Sequence, residues 1–157
     1  MATWKHIEMG TYMHKETFDI YIVTGDSHPD YTDGDYFQID ELIALPVQVL
    51  NRKGYRTEMC CSGHLTGSHT IAKGLFKLDG DTSRGGRSSI RFKKGISLPS
   101  LPPGFMDSNH DNSLIISHSY NTNDIYGLLH ENLKTMERLY KWALELPDFN
   151  DIEKDIE

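Results

Sequence analysis

Hydrophobic positions along the chain follow two periods. Phe18-Asp19-Ile20-Tyr21-Ile22-Val23-Thr24 alternates and is rich in β-branched and aromatic residues, which predicts a strand. Ile39, Leu42, Ile43, Val47 and Leu50 then recur at helical spacing, with Asp40 near the start of the run. Pro46 falls inside this run, so it either kinks the helix or marks the first turn of a shorter one. Gly54 supplies a C-terminal stop. Tyr55–Cys60 predicts the next strand. Thr70–Leu78 and Ser88–Lys93 predict two more, paired as a hairpin across the Gly- and Arg-bearing loop 79–87. Gly95–Asp111, with Pro99, Pro102, Pro103 and Gly104, reads as an ordered crossing loop. Ser113–Ser119 carries Leu114, Ile115 and Ile116 and predicts another strand. The most regular element comes last. Ile125, Leu128, Leu129, Leu133, Met136, Leu139, Tyr140, Ala143 and Leu146 form an apolar helical stripe. Thr122 or Asn123 can cap it, and Pro147 ends it.

The order strand, helix, strand, hairpin, strand, helix predicts an α/β or α+β fold. The expected architecture is a single sheet of about four to five strands with two main helices packed on it. A chain of 157 residues is the length of one domain with a real core. Residues 1–147 are expected to form it, with 148–157 as an acidic tail. No apolar run approaches the roughly 20 residues of a membrane helix, so no membrane partner is expected. Met1–Gly10 lacks the layout of a signal peptide. Cys60 and Cys61 are adjacent and form no disulfide framework, which points to a reducing, cytoplasmic setting.

Charge changes the picture. The chain carries a net −7, yet Arg52–Lys94 holds ten basic residues against Glu58, Asp79 and Asp81. That window is therefore +7 and the remainder −14. An anionic partner for the middle of the chain follows, with a solvated basic hairpin as the plain alternative. Duplex DNA is not expected, because the sequence pI is about 5.6 and duplex-binding domains are usually basic overall.

Within the basic window, Cys60-Cys61-Ser62-Gly63-His64 runs from a strand end into a tight turn, where α/β proteins usually keep ligands. A zinc site of Cys60, Cys61, His64 and His69 is disfavoured, since adjacent cysteines on an alternating strand face opposite ways. No metal and no cofactor are expected. Cys61 activated by His64 or His69 would be a nucleophile, but a free cysteine is more often a small buried hydrophobe. Ser62-Gly63 suits an anion nest, with His64 and nearby arginines as charged donors. Arg84 and Arg87 sit in a Gly-rich loop able to close on an anion, or to stand in solvent as a hairpin tip. On the following strand, Ile90 and Phe92 should face the core, and Arg91 the ligand or solvent. His118 ends an apolar strand and reads as a core histidine. Asp26, His28, Asp30, Asp33 and Asp35 lack the spacing of a calcium loop.

The run Ile39-Asp40-Glu41-Leu42-Ile43, then Val49-Leu50-Asn51-Arg52-Lys53-Gly54-Tyr55-Arg56-Thr57 and Cys61-Ser62-Gly63-His64, resembles small phage and Firmicute proteins with a helix followed by the same Cys-Ser-Gly-His ending. It is also similar to the start of the wybutosine-synthesis methyltransferase family, the third enzyme of that tRNA pathway. The similarity covers residues 39–64, with 88–92 as a later strand. Here Cys60 stands where that family has serine, and His64 where it has arginine. The phage resemblance implies a bacterial host cytosol and a role in sequestering nucleotide second messengers of host defence. The methyltransferase resemblance implies an α/β fold and a site at the same loop.

The expected function is a cytosolic binding protein for a phosphate-bearing small molecule, a nucleotide or nucleotide second messenger. Cys61, Ser62, Gly63 and His64 would form the floor, with His69, Arg84, Arg87 and Arg91 around it. The alternatives are an enzyme using the same loop, methyltransferase-like or a Cys/His hydrolase, and an inhibitor of a host protein acting through its acidic surface. A second copy of the chain is a further candidate partner.

Overall fold

The computed structural model describes residues 10–23, 35–61, 87–120 and 125–149. They form strands β1 (Gly10–His14), β2 (Ile20–Val23), β3 (Tyr36–Ile39), β4 (Thr57–Cys61), β5 (Arg87–Phe92), β6 (Met106–His110) and β7 (Ser113–Ser119). A 3-10 turn, Glu41–Ile43, leads into helix α1 (Ala44–Arg52), and α2 spans Ile125–Glu145. This is an α+β fold with the two expected helices. Among the described residues, neither is long and apolar enough to cross a membrane.

The strands do not form the single sheet expected. They divide into an antiparallel three-stranded sheet of order β2-β1-β3 and an antiparallel four-stranded sheet of order β4-β5-β7-β6. The cause lies in β1 and β3, which the apolar pattern did not reveal. β1 pairs with β2 on one side and β3 on the other, so these three strands form a sheet of their own before α1 begins. β6 corrects the reading of 95–111 as a loop throughout. It is an edge strand exposed along its whole length, so no buried face imposes alternation on it. Its turn into β7 is set by consecutive left-handed residues, Asp111 (φ 51°) and Asn112 (φ 65°). That is the backbone a two-residue type I′ hairpin needs. The strand expected over Thr70–Leu78 and the loop 79–86 lie outside the described residues. The described partners of β5 are β4 and β7.

Both sheets and both helices share one core. Met13 and Ile39 of the first sheet, Val47 and Leu50 of α1, Ile90, Phe92 and Ile116 of the second sheet, and Met136, Leu139 and Ala143 of α2 belong to a single buried cluster. Each fully buried aliphatic side chain contributes about 1.5–3 kcal/mol relative to exposure. Pro46 is the third residue of α1, where no intrahelical partner for its N–H is required, so it marks the first turn of a short helix.

The turn between α1 and β4 fastens the C-terminal segment. Lys53 Nζ donates to Leu144 O and Leu146 O, capping the end of α2. Tyr55 Oη donates to Pro147 O at 2.8 Å, and Phe149 N donates to Lys53 O at 2.8 Å. The Phe149 ring stands edge-on to Tyr55, with centroids 5.4 Å apart. Asp148 and Phe149, the start of the expected tail, thus lie against this turn; residues 150–157 are outside the described set. Gly54 has φ +96°, and a Cβ there would meet the Phe149 Cβ at 3.1 Å. Gly54→Ala is expected to cost about 1–2 kcal/mol for the left-handed backbone, with displacement of Phe149 added. A lowered melting temperature checks this, and an unchanged one would refute it.

Candidate functional site

Of the eight ligand-binding residues expected from sequence, Cys61, Arg87 and Arg91 are described. Ser62, Gly63, His64, His69 and Arg84 lie outside the described residues. In β5, Ser88, Ile90 and Phe92 are buried, so Arg87, Ser89 and Arg91 take the opposite, outer face. Cys61 pairs with Ser89 in the register and shares that face. The structure therefore does bring Cys61, Arg87 and Arg91 to one surface. Arg91 is not free there. Its Nε lies 3.2 Å from Glu58 Oε2, an ion pair without a hydrogen bond from Nε, and its Nη2 reaches His110 O at 3.5 Å. Glu58 is the extra residue where the β4–β5 register shifts between Thr57 and Met59, and this bulge delivers it to Arg91.

A better-formed concavity lies at the edge of β4 rather than on the outer face. A cleft of about 570 Å³ opens between β3 and β4, each the edge strand of its own sheet among the described residues. Phe37 and Gln38 of β3 form one wall and Thr57–Cys60 of β4 the other. Lys15, Arg56 and Lys93 bring three cations to it from three separate segments.

The local structure explains why these residues converge. The turn after β1 closes through Phe18 N to His14 O (3.0 Å) and His14 N to Asp19 O (2.9 Å). It holds Phe18 at φ 61°, a conformation costly for a bulky residue. α1 stabilises that turn: Gln48 Nε2 donates to Phe18 O at 2.9 Å, and Arg52 reaches Thr17 O at 3.1 Å and Asp19 Oδ1 at 2.8 Å. The Phe18 ring is thereby placed beneath Arg56, whose guanidinium carbon stands 4.6 Å from the ring centroid. Lys93 N donates to Arg56 O at 2.9 Å, so the two cations are cross-strand neighbours. Asn51, buried at the end of α1, fixes the start of β4. Its Nδ2 donates to Val47 O (2.8 Å) and Thr57 Oγ1 (3.0 Å), and its Oδ1 accepts from Thr57 N (3.1 Å).

Electrostatically the cleft is basic. Among the described residues, Glu58 is the one acid in its lining, and Arg91 engages it. Among the described residues, Lys15, Arg56 and Lys93 form no ion pair with any acid. Like charges on neighbouring strands repel, which favours an anion between them.

The cysteine that meets the cleft is Cys60, with Cys61 on the other face. Burial pushes the Cys60 thiol up to about 12, with Asp40 and Cys61 adding to the shift. It is therefore a protonated thiol at neutral pH and a poor nucleophile. Iodoacetamide is expected to label Cys60 in the folded protein at pH 8 far more slowly than a free thiol; labelling at the rate of glutathione would contradict the assignment. The same shift has a stability consequence. The contribution is present below 9.0, the group's ordinary value, and is lost as pH rises towards about 12. Among the described residues, no three metal-ligating side chains cluster as a metal site would require.

Lys15, Phe18 and Phe37 escaped the sequence reading because they lie outside the basic window, in segments the apolar pattern did not connect to β4. Arg56 and Lys93 lay inside the window, and their charge was the signal available. The chain matches no family model, no curated protein and no solved structure.

Proposed function

We propose that this protein binds a phosphate-bearing small molecule, a nucleotide or nucleotide second messenger, in the cleft between β3 and β4. The observation that carries the reading is the convergence of Lys15, Arg56 and Lys93, which form no ion pair among the described residues, while the acid beside them, Glu58, is paired to Arg91. Phosphate oxygens would accept charge-assisted hydrogen bonds from all three. Phe37 and the Arg56–Phe18 pair supply apolar and aromatic wall for the rest of the molecule. A volume of about 570 Å³ is that of a small-molecule site. With Cys60 protonated, the cleft has no thiolate to attack the ligand, which favours holding over turnover in the host cytosol.

Titration calorimetry against nucleoside mono-, di- and triphosphates and cyclic dinucleotides tests this. Heat is expected with at least one, weakening as salt rises because the contacts are ionic. Mass spectrometry of the released ligand should show it unaltered. No heat with any of them at near-millimolar concentration would overturn the reading, and an altered ligand would replace sequestration by catalysis.

A further inference from the structure

The apolar positions of α2 divide into two stripes. Met136, Leu139 and Ala143 are buried in the shared core. Tyr126, Leu129, Leu133, Tyr140 and Leu144 follow one another at steps of three, four, seven and four residues, which keeps them on one face beside the buried one. That face is exposed. Tyr126 is 78% exposed, Leu129 41%, Leu133 54% and Leu144 49%, and Tyr140 is half-buried. The stripe expected from sequence counted Leu129, Leu133 and Tyr140 as core, yet the folded chain leaves the two leucines outside. The exposed stripe runs about 27 Å along the helix at 1.5 Å per residue.

Spacing and charge both fit this stripe to a second copy of itself. About a two-fold axis near Thr135, antiparallel helices bring Tyr126 of one copy opposite Leu144 of the other and Leu129 beside Tyr140. The two Leu133 side chains then flank the axis. In the same register Lys134 of one copy falls opposite Glu137 of the other, twice over. Lys141, 3.0 Å from Glu137 on its own helix, joins that pair at the exposed rim. Parallel helices would instead set Glu137 against Glu137 and Lys134 against Lys134, so charge selects the antiparallel arrangement. α2 is also neutral within an acidic chain. Lys134, Arg138 and Lys141 balance Glu131, Glu137 and Glu145, whereas the whole chain carries −7. Copies of such a chain repel one another least across a neutral helix. The exposed patch of Ile22, Leu42 and Leu45 lacks this property. Among the described residues the charged groups lining it are Asp19 and Glu41, and a two-fold there would bring carboxylates together.

We propose that α2 is a self-association surface through which two copies pack antiparallel. The proposal stands apart from the anion reading. Among the described residues α2 contributes nothing to the lining of the β3–β4 cleft, so each copy keeps its own cleft.

Sedimentation equilibrium of the full chain, from micromolar to sub-millimolar concentration, reads the association. A species of twice 17.9 kDa is expected to appear as concentration rises. Leu129→Lys with Leu133→Lys is expected to weaken association roughly a hundredfold, as loss of central apolar anchors does. A circular-dichroism spectrum matching that of the native chain would show that the helix still forms. Ile22→Lys with Leu45→Lys should leave the dimer intact. Charge reversal tests the register without touching the stripe. Glu137→Lys alone is expected to weaken the dimer several-fold, and adding Lys134→Glu should recover it. A single 17.9 kDa species at every concentration would overturn the proposal. So would a dimer indifferent to the two leucines, one dissolved instead by the Ile22 and Leu45 changes, or a charge swap that recovers nothing.

Discussion

Replacing Lys15, Arg56 and Lys93 together by methionine is expected to abolish nucleotide binding while leaving the fold in place. Each cation would donate a charge-assisted hydrogen bond to phosphate, worth about 1.5–3 kcal/mol. Even with strong non-additivity, the triple change should weaken binding by roughly a hundredfold or more. The structure has little else invested in these side chains. The Arg56–Phe18 contact is one identifiable loss, of the order of 0.5–1 kcal/mol, and relief of the Arg56–Lys93 repulsion offsets part of it. The thermal midpoint should therefore move by only a few degrees. Arg87→Met, on the outer face, serves as the comparison and should bind as the native chain does. Calorimetry alongside a circular-dichroism melt reads both effects. Undiminished affinity in the triple variant would place the ligand elsewhere.

Asn51→Ala should produce the largest loss of stability among the polar substitutions. Its side chain makes three hydrogen bonds that join the end of α1 to the start of β4, and it is buried. Alanine would leave Thr57 N without its acceptor and would open a small void beside it. A buried donor stripped of its partner costs about 1–3 kcal/mol, and the void adds to this. A total near 2–3 kcal/mol corresponds to a fall in melting temperature of about 5–10 °C for a chain of this size. Thr57→Ala removes one of the three bonds and should cost less. A melt in which Asn51→Ala matches the native protein would show that this network does not hold β4. Because Asn51 also lines the cleft, the same variant should bind nucleotide less tightly.

The elements legible in the sequence were those with a buried face. α2 ends close to where its apolar stripe ends, and β7 occupies Ser113–Ser119 as the pattern requires. β5 lies within a residue of its expected bounds for the same reason, and β4 within two residues although it is only partly buried, through Thr57, Cys60 and Cys61. β6 was hidden because every residue from Met106 to His110 is exposed. β1 was hidden because Tyr12 and Met13 are both buried, so one strand buries both faces and no alternation shows. The division into two sheets followed from those hidden strands. For the proposed site, the +7 window contains Arg56 and Lys93, which meet at the cleft, but nothing in the sequence singles out either within it. Which face of β4 carries the concavity depended on Glu58. One extra residue in β4 sends its carboxylate to Arg91, and Cys60 rather than Cys61 lines the cleft. Lys15 and Phe18 reach the cleft through a strained turn held by α1, a long-range arrangement with no local signature.

The central claim is that the anion sits between β3 and β4 and not on the outer face of the second sheet. Backbone amide NMR on the uniformly labelled full chain, with nucleotide titrated in, addresses it residue by residue. Shifts concentrated at Lys15, Phe37, Gln38, Arg56 and Lys93, with Arg87, Ser89 and Ser117 unmoved, are the expected result. Shifts confined to Arg87, Ser89 and Ser117, with the cleft residues silent, would contradict it.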